Sequence, residues 1–381
     1  MHPIISMNKK NLKLLFISHG LDGGINRVTS DLHTYLRNDA NTDSTIIRIG
    51  EGRDSLEIAD ASMQEHNITL RSNSKNIFLR IATWITGLND VKRLVGKNKY
   101  DIIVYSGIIP AILMSRTLRS SARSHVFWEH GPQKTFLGIK RLVTRFLPTF
   151  DGVMSPAKSS MAWMRQNLRI RARDYKVISN WVNWQYIVPS TCTNDRSSFL
   201  KIIVVSRIDY RQKDFDTLLH AISKLVQSGT TSLFVDIFGA GEDIPKLEQS
   251  IEQLHLQEFV MLKGHANDIY TRLALYDVSI LPTKWEGFGL SVAESMAARV
   301  VPISAAVEGV VDVIDSNING FLYESGNPQS LCQAILEVIN QQRSERESMR
   351  DAGRAKVLAQ YTPAIQLEKI KNFLQVISTN G

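Results

Sequence analysis

Short apolar runs alternate along the whole chain with longer stretches of helical periodicity. Residues 12–18 read as a buried strand; Gly20, Gly23 and Gly24 follow it, and a helix begins near Asn26. Further strands fall at 44–49, 66–70, 102–106, 124–128, 152–155 and 176–179. Between residues 184 and 198 the pattern fails, and Pro189, Ser190, Thr191, Thr193, Asn194, Asp195, Ser197 and Ser198 read as a linker. A second strand series occupies 201–206, 232–238, 260–263, 278–282, 301–304 and 320–323, with helical patterns such as 215–227 and 328–342 between them. Strands that alternate with helices predict βαβ units and parallel sheets. The fold class expected is α/β, with two consecutive doubly wound, Rossmann-like domains at 1–190 and 191–361. Sheets of this kind bind ligands at the carboxyl ends of their strands, and two of them facing one another make a cleft.

Composition narrows the class. The 381 residues suit two or three domains at roughly 150 residues each. Hydrophobic residues are 43% and charged residues 22%, which argues against wholesale disorder, collagen-like repeats and a coiled coil. Two cysteines, Cys192 and Cys332, cannot build a disulfide framework or a cysteine-rich zinc module, and they fit a reducing compartment. The longest apolar stretch, 102–115, is broken by Ser106, Gly107 and Pro110 and falls short of the ~18–20 residues that cross a bilayer. Residues 4–5 are too short for a signal-peptide core, and lysines follow them rather than precede them. A cytoplasmic location is therefore expected.

The net charge of +8 is unevenly placed. Residues 1–200 carry 28 basic and 15 acidic side chains, or +13, whereas residues 201–381 carry 17 and 22, or −5. The basic excess peaks at Lys134, Lys140, Arg141, Arg145, Lys158, Arg165, Arg169, Arg171, Arg173 and Lys176, against Asp151 and Asp174. Within that region Phe136, Leu137, Ile139, Leu142, Val143, Phe146 and Leu147 alternate with cations at near-helical spacing. Two readings are open: a surface for anionic membranes, or a solvated helix whose apolar face enters the core. No nucleic-acid module accompanies the basic residues, so nucleic acid is not an expected partner.

The densest chemical constellation is Pro282-Thr-Lys-Trp-Glu286-Gly287-Phe288-Gly289-Leu290-Ser-Val-Ala-Glu294. A strand ends at Pro282, a glycine-bracketed loop follows, and a helix opens near Leu290. Amides of the loop and first helical turn can bind a polar or anionic ligand, and the glycines let that backbone approach closely. Glu286 and Glu294 both lie near the strand's carboxyl end; the competing reading of Glu294 is a capping box with Ser291. Arg207 and Lys213, just past the strand 201–206, suit a diphosphate, one as a fork and the other as a point charge. Arg211, between them, reads as solvated.

Gly20, Gly23 and Gly24 are spaced G-x-x-G-G, so the dinucleotide fingerprint is absent; Gly239 and Gly241 fail the same test, and no P-loop is present. Gly23 and Gly24 form either an ordinary tight turn or a loop whose backbone closes on a ligand in the cleft. His130, in Trp128-Glu129-His130-Gly131-Pro132, ends another strand and stands at the cleft edge, where it could hydrogen-bond a sugar hydroxyl or move a proton. His19 has a similar position. Asp214-Phe-Asp216 is a D-x-D, read chiefly as the acidic start of the helix 215–227.

The segment from Glu286 to Glu294 resembles the E-x7-E motif of retaining GT-B glycosyltransferases, specifically glycosyltransferase family 4. The resemblance extends to Gly23-Gly24, His130, Asn180, Arg207 with Lys213, Gly239-Ala-Gly241, Gly264, Tyr276-Asp277 and Asn319-Gly320. It implies that Arg207 and Lys213 bind the donor diphosphate and that Glu294 contacts the ribose. It also implies that Glu286 and the amides of Gly287, Phe288 and Gly289, with Leu290 beside them, hold the donor sugar while His130 lies near the reacting centre. A final helix in 362–381 crossing back to the first domain, a nucleoside diphosphate sugar as donor and no metal or cofactor are likewise implied. So are a glycan or lipid-linked acceptor of envelope lipopolysaccharide or polysaccharide synthesis and a peripheral place on the inner membrane face. Three positions depart from the family pattern: Trp181 after Asn180, Asp214 after Lys213, and Glu308-Gly309 ahead of Asp312. An epimerase of the same architecture and a non-enzymatic binder of anionic surfaces are the alternatives; the paired glutamates and cations disfavour both.

Overall fold

The computed structural model describes residues 12–19, 24–39, 42–51, 65–70, 89–96, 98–132, 134, 137–190 and 199–380. Thirteen strands appear among them. In the N-terminal half these are β1 (Leu12–His19), β2 (Thr42–Glu51), β3 (Glu65–Leu70), β4 (Tyr100–Ser106), β5 (Ala122–Trp128), β6 (Phe150–Ser155) and β7 (Ala172–Val177). In the C-terminal half they are β8 (Leu200–Val205), β9 (Leu233–Phe238), β10 (Val260–Gly264), β11 (Val278–Leu281), β12 (Val301–Ala305) and β13 (Phe321–Tyr323). The sheets run β3-β2-β1-β4-β5-β6-β7 and β10-β9-β8-β11-β12-β13. The paired strands named are all parallel.

Both sheets reverse direction of winding where the first strand meets the fourth, β1 beside β4 and β8 beside β11. A crevice opens at the carboxyl ends of such a pair, because the connections on either side leave to opposite faces. This places the loops after β8 and β11, which carry Arg207, Lys213 and Glu286, on one crevice of the C-terminal half.

The strands are legible as apolar runs because helices cover both faces. Leu14, Phe16, Ile102, Val104, Val126 and Trp128 pack on one side of the first sheet. Leu15, Ile17, Ile103, Tyr105 and Phe127 pack on the other. The edge strand β7 departs from the expectation of 176–179: it spans Ala172–Val177, and its partly exposed alternation supplies no apolar run for the sequence to show.

The chain passes from one core to the other between Trp181, which packs with the first sheet, and Val182 and Ile187, which pack with the second. It returns after Tyr361. In the helix Pro363–Asn380, Leu367, Ile370, Phe373, Leu374 and Ile377 lie against the first sheet. Gly152 on β6 makes room for this helix: a Cβ there would stand 2.7 Å from Cζ of Phe373. Truncating the fully buried Leu374 to alanine is expected to cost about 2–5 kcal/mol of stability by urea denaturation. An unchanged midpoint would contradict the docking of this helix.

Candidate active site

Strand ends deliver the N-terminal side of the cleft. Ser106 closes β4, Trp128 closes β5 and Ser155 closes β6, so their side chains and the turn 129–132 meet at one edge. Nε2 of His130 lies 2.6 Å from Oγ of Ser106, and the ring stacks obliquely on Trp128 at 4.8 Å. Its Nδ1 is buried without a hydrogen-bond partner. Burial pushes His130 down to about 3, so the imidazole is neutral at physiological pH.

Glu129, next to it, was invisible as a site residue in the sequence. Its carboxylate accepts from the Gly131 amide at 2.6 Å and from Ser155 Oγ at 2.8 Å. Burial nevertheless dominates and pushes the carboxyl up to about 7. Glu129 thereby ties the turn that presents His130 to the end of β6.

The C-terminal side is built on the loop after β11. Gly289, at φ 86, caps the helix Leu290–Ala297 in a left-handed conformation that suits glycine. Glu286 Oε2 lies 2.8 Å from Nζ of Lys213 and 3.5 Å from Nε2 of Gln212. Gln212 in turn accepts from Arg207 at 3.0 Å. Lys213 is buried and committed to Glu286, whereas Arg207 is largely exposed. Arg211 is not simply solvated: it grips Asp209 through two nitrogens, at 2.8 and 3.0 Å.

Glu294 makes no capping box, since Gly289 is the N-cap and has no side chain to complete one. Its carboxylate instead accepts from Tyr270 at 2.9 Å and from Arg27 at 2.7 Å. The Phe288 side chain is buried edge-on against Tyr361, 5.0 Å between rings, so only its backbone borders the loop. Leu290 is half-buried at the first turn of its helix. Asp214 caps the helix Phe215–Gln227 and accepts from Thr217 Oγ1 at 2.7 Å, which accounts for the D-x-D structurally. Gly239 and Gly241 permit tight backbone turns: a Cβ at either would stand 1.9 Å from the carbonyl oxygen of Ser206 or Ile208. Gly24 opens the first helix, Gly24–Arg37; Gly23, Gly20 and Cys192 lie outside the described residues, as does the His19 side chain.

The two sides touch. A Cβ on Gly131 would stand 2.5 Å from Cα of Gly287, and one on Gly287 would stand 1.9 Å from the His130 carbonyl oxygen. Ser160 Oγ donates to the Gly287 carbonyl at 2.8 Å. Ser159 accepts from the Gly309 amide at 2.7 Å, and its own amide donates to Asp312 at 2.9 Å. Lys134 meets Glu308 at 3.0 Å. His130 and the Glu286 loop are thus brought to one place from opposite halves. Of the residues expected in the site, the structure gathers His130, Glu286, Lys213 and the loop glycines most closely. Among the described residues no group of three or more metal-ligating side chains is assembled.

Glu129 and His130 have opposing effects on stability against pH. Glu129, raised from 4.5 to about 7, adds stability that is fully present at low pH and lost as pH rises through about 7. His130, lowered from 6.5 to about 3, adds stability that is present above 6.5 and lost as pH falls. Glu129→Gln removes the first slope alone. Between about pH 6.5 and pH 5, E129Q should therefore lose stability on acidification more steeply than wild type, by up to about 1.4 kcal/mol per pH unit. Parallel urea-denaturation profiles would contradict the burial of the Glu129 carboxyl.

Residues 22–186 match the family model Glycosyltransferase Family 4, and residues 194–356 match Glycosyl transferases group 1. The chain is 26% identical over 190 residues to the poly(glycerol-phosphate) alpha-glucosyltransferase of Bacillus subtilis, covering 47% of this chain and 28% of the relative. The chain spans less than half the length of the first curated relatives it matches. Among solved structures it superposes on sucrose-phosphate synthase from Thermosynechococcus elongatus with a TM-score of 0.78 at 16% identity, over 97% of this chain and 100% of that one. It superposes on Anabaena HepE in complex with UDP and glucose with a TM-score of 0.73 at 16% identity, over 96% and 100%. With residues 22–186 and 194–356 matched by these two models, the chain belongs to the family 4 glycosyltransferases of GT-B fold.

Proposed function

We propose that this protein moves a sugar from a nucleoside diphosphate sugar to a hydroxyl of a glycan or lipid-linked acceptor, with retention at the anomeric carbon. The observation that carries the reading is the juxtaposition of Glu286, held by Lys213, with His130 from the opposite half across the Gly131–Gly287 contact. In the transition state the departing diphosphate gains negative charge. In this reading Arg207, Lys213 and the amides at the start of the helix Leu290–Ala297 answer that charge. Glu286 positions the sugar, Glu294 receives the ribose, and neutral His130 lies near the reacting centre. The reaction as proposed uses no metal, because cations answer the diphosphate and Asp214 is spent on Thr217.

An envelope acceptor is supported by the polymer named for the Bacillus relative and by the surface of the N-terminal half. The helix Leu137–Thr144 and the turn after it do not bury their whole apolar face: Ile139 is 63% exposed, Leu142 58% and Phe146 64%. Arg141 and Arg145 are exposed beside them, while Lys140 turns inward and lines a small cavity with Glu129 and His130. An apolar ridge edged by cations suits the interface of an anionic membrane. The contact proposed is peripheral, at the inner face; no described helix is long and apolar enough to cross a membrane.

Glu286→Ala should lower sugar transfer by roughly a hundredfold or more with the fold intact, as read from product formation with UDP-, GDP- and ADP-sugars. Near-normal transfer by that variant would sink the assignment. Co-sedimentation with phosphatidylglycerol vesicles should be salt-sensitive and should fall roughly tenfold in L142E/F146E. Equal sedimentation of variant and wild type would remove the membrane reading.

A further inference from the structure

Arg27 lies in the first turn of the helix Gly24–Arg37, and its guanidinium crosses the cleft to Glu294, Nη1 to Oε1 at 2.7 Å. Tyr270 hydrogen-bonds with Arg27 and donates to the same Oε1. One carboxylate oxygen therefore serves two donors, and ribose hydroxyls brought to Glu294 compete with them. Tyr270 comes from the same half as Glu294; Arg27 comes from the other. Nε and Nη2 of Arg27 are shielded from solvent and have no partner. Buried N–H donors left empty cost free energy until something accepts from them, and a guanidinium fork matches the oxygens of a phosphate. The side chain keeps 30% exposure, so it borders the cleft rather than a sealed core.

Resting on the glycosyltransferase reading, we propose that Arg27 is a diphosphate-binding residue that the donor captures from Glu294. The ribose takes the carboxylate, and the guanidinium turns its fork onto the diphosphate from the opposite half. The donor then bridges the two halves, its ribose on Glu294 and its diphosphate on Arg27. The test is isothermal titration of wild type and Arg27→Ala with UDP, GDP and ADP and with uridine, guanosine and adenosine. For the diphosphate that binds wild type, R27A should bind roughly tenfold or more weakly, while its nucleoside binds as well as or better than to wild type. Equal weakening of nucleoside and diphosphate, or no weakening of either, overturns the proposal alone. Failure of all three diphosphates to bind wild type overturns the underlying reading, and this proposal with it. Arg27→Gln, which keeps length and a donor, carries the same comparison if the alanine protein does not fold.

Discussion

The backbone of Gly131 lies directly against that of Gly287, and the rest of the site depends on this contact. Neither position has room for a Cβ, because each would meet the other's main chain at 2.9 Å or less. Glycine at both places lets two strand-end loops from different halves press together. His130 and Glu286 flank these glycines, so the same approach that closes the cleft brings the two proposed functional groups together. The surrounding contacts, Ser160 to Gly287, Ser159 to Gly309 and Asp312, and Lys134 to Glu308, are individually modest.

Charge in the site is arranged in pairs awaiting exchange. Lys213 holds Glu286 and Arg27 holds Glu294, one pair within a half and one across it. Both pairs are largely shielded, and a largely buried pair contributes little net stability because desolvation offsets its attraction. Such pairs can therefore open toward a ligand that offers equivalent partners at modest cost. Glu129 works on a longer lever: it fixes Gly131 and Ser155, and through them the turn that carries His130.

The β-α alternation was legible because parallel strands covered on both faces appear as unbroken apolar runs. It blurred at β7, an edge strand with polar, partly exposed positions. The positions of Glu286, Lys213 and His130 beyond strand ends were legible because they follow β11, β8 and β5 by five, eight and two residues. Arg27, Tyr270 and Glu129 were not. The Arg27–Glu294 pair joins residues 267 apart, and no local pattern records such a contact. Glu129 has no sequence signal for its burial or for its two donors, Gly131 and Ser155. The basic amphipathic segment had two readings in sequence, because no local pattern records that Ile139, Leu142 and Phe146 stay exposed while Leu147 is buried.

Small-angle X-ray scattering of wild type beside Gly131→Ala tests the central constraint most directly. A methyl group at Gly131 has no space against Gly287, so the variant is expected to hold its halves apart and to show a larger radius of gyration than wild type. Superimposable scattering curves would contradict the claim that the glycine contact sets the closure of the cleft.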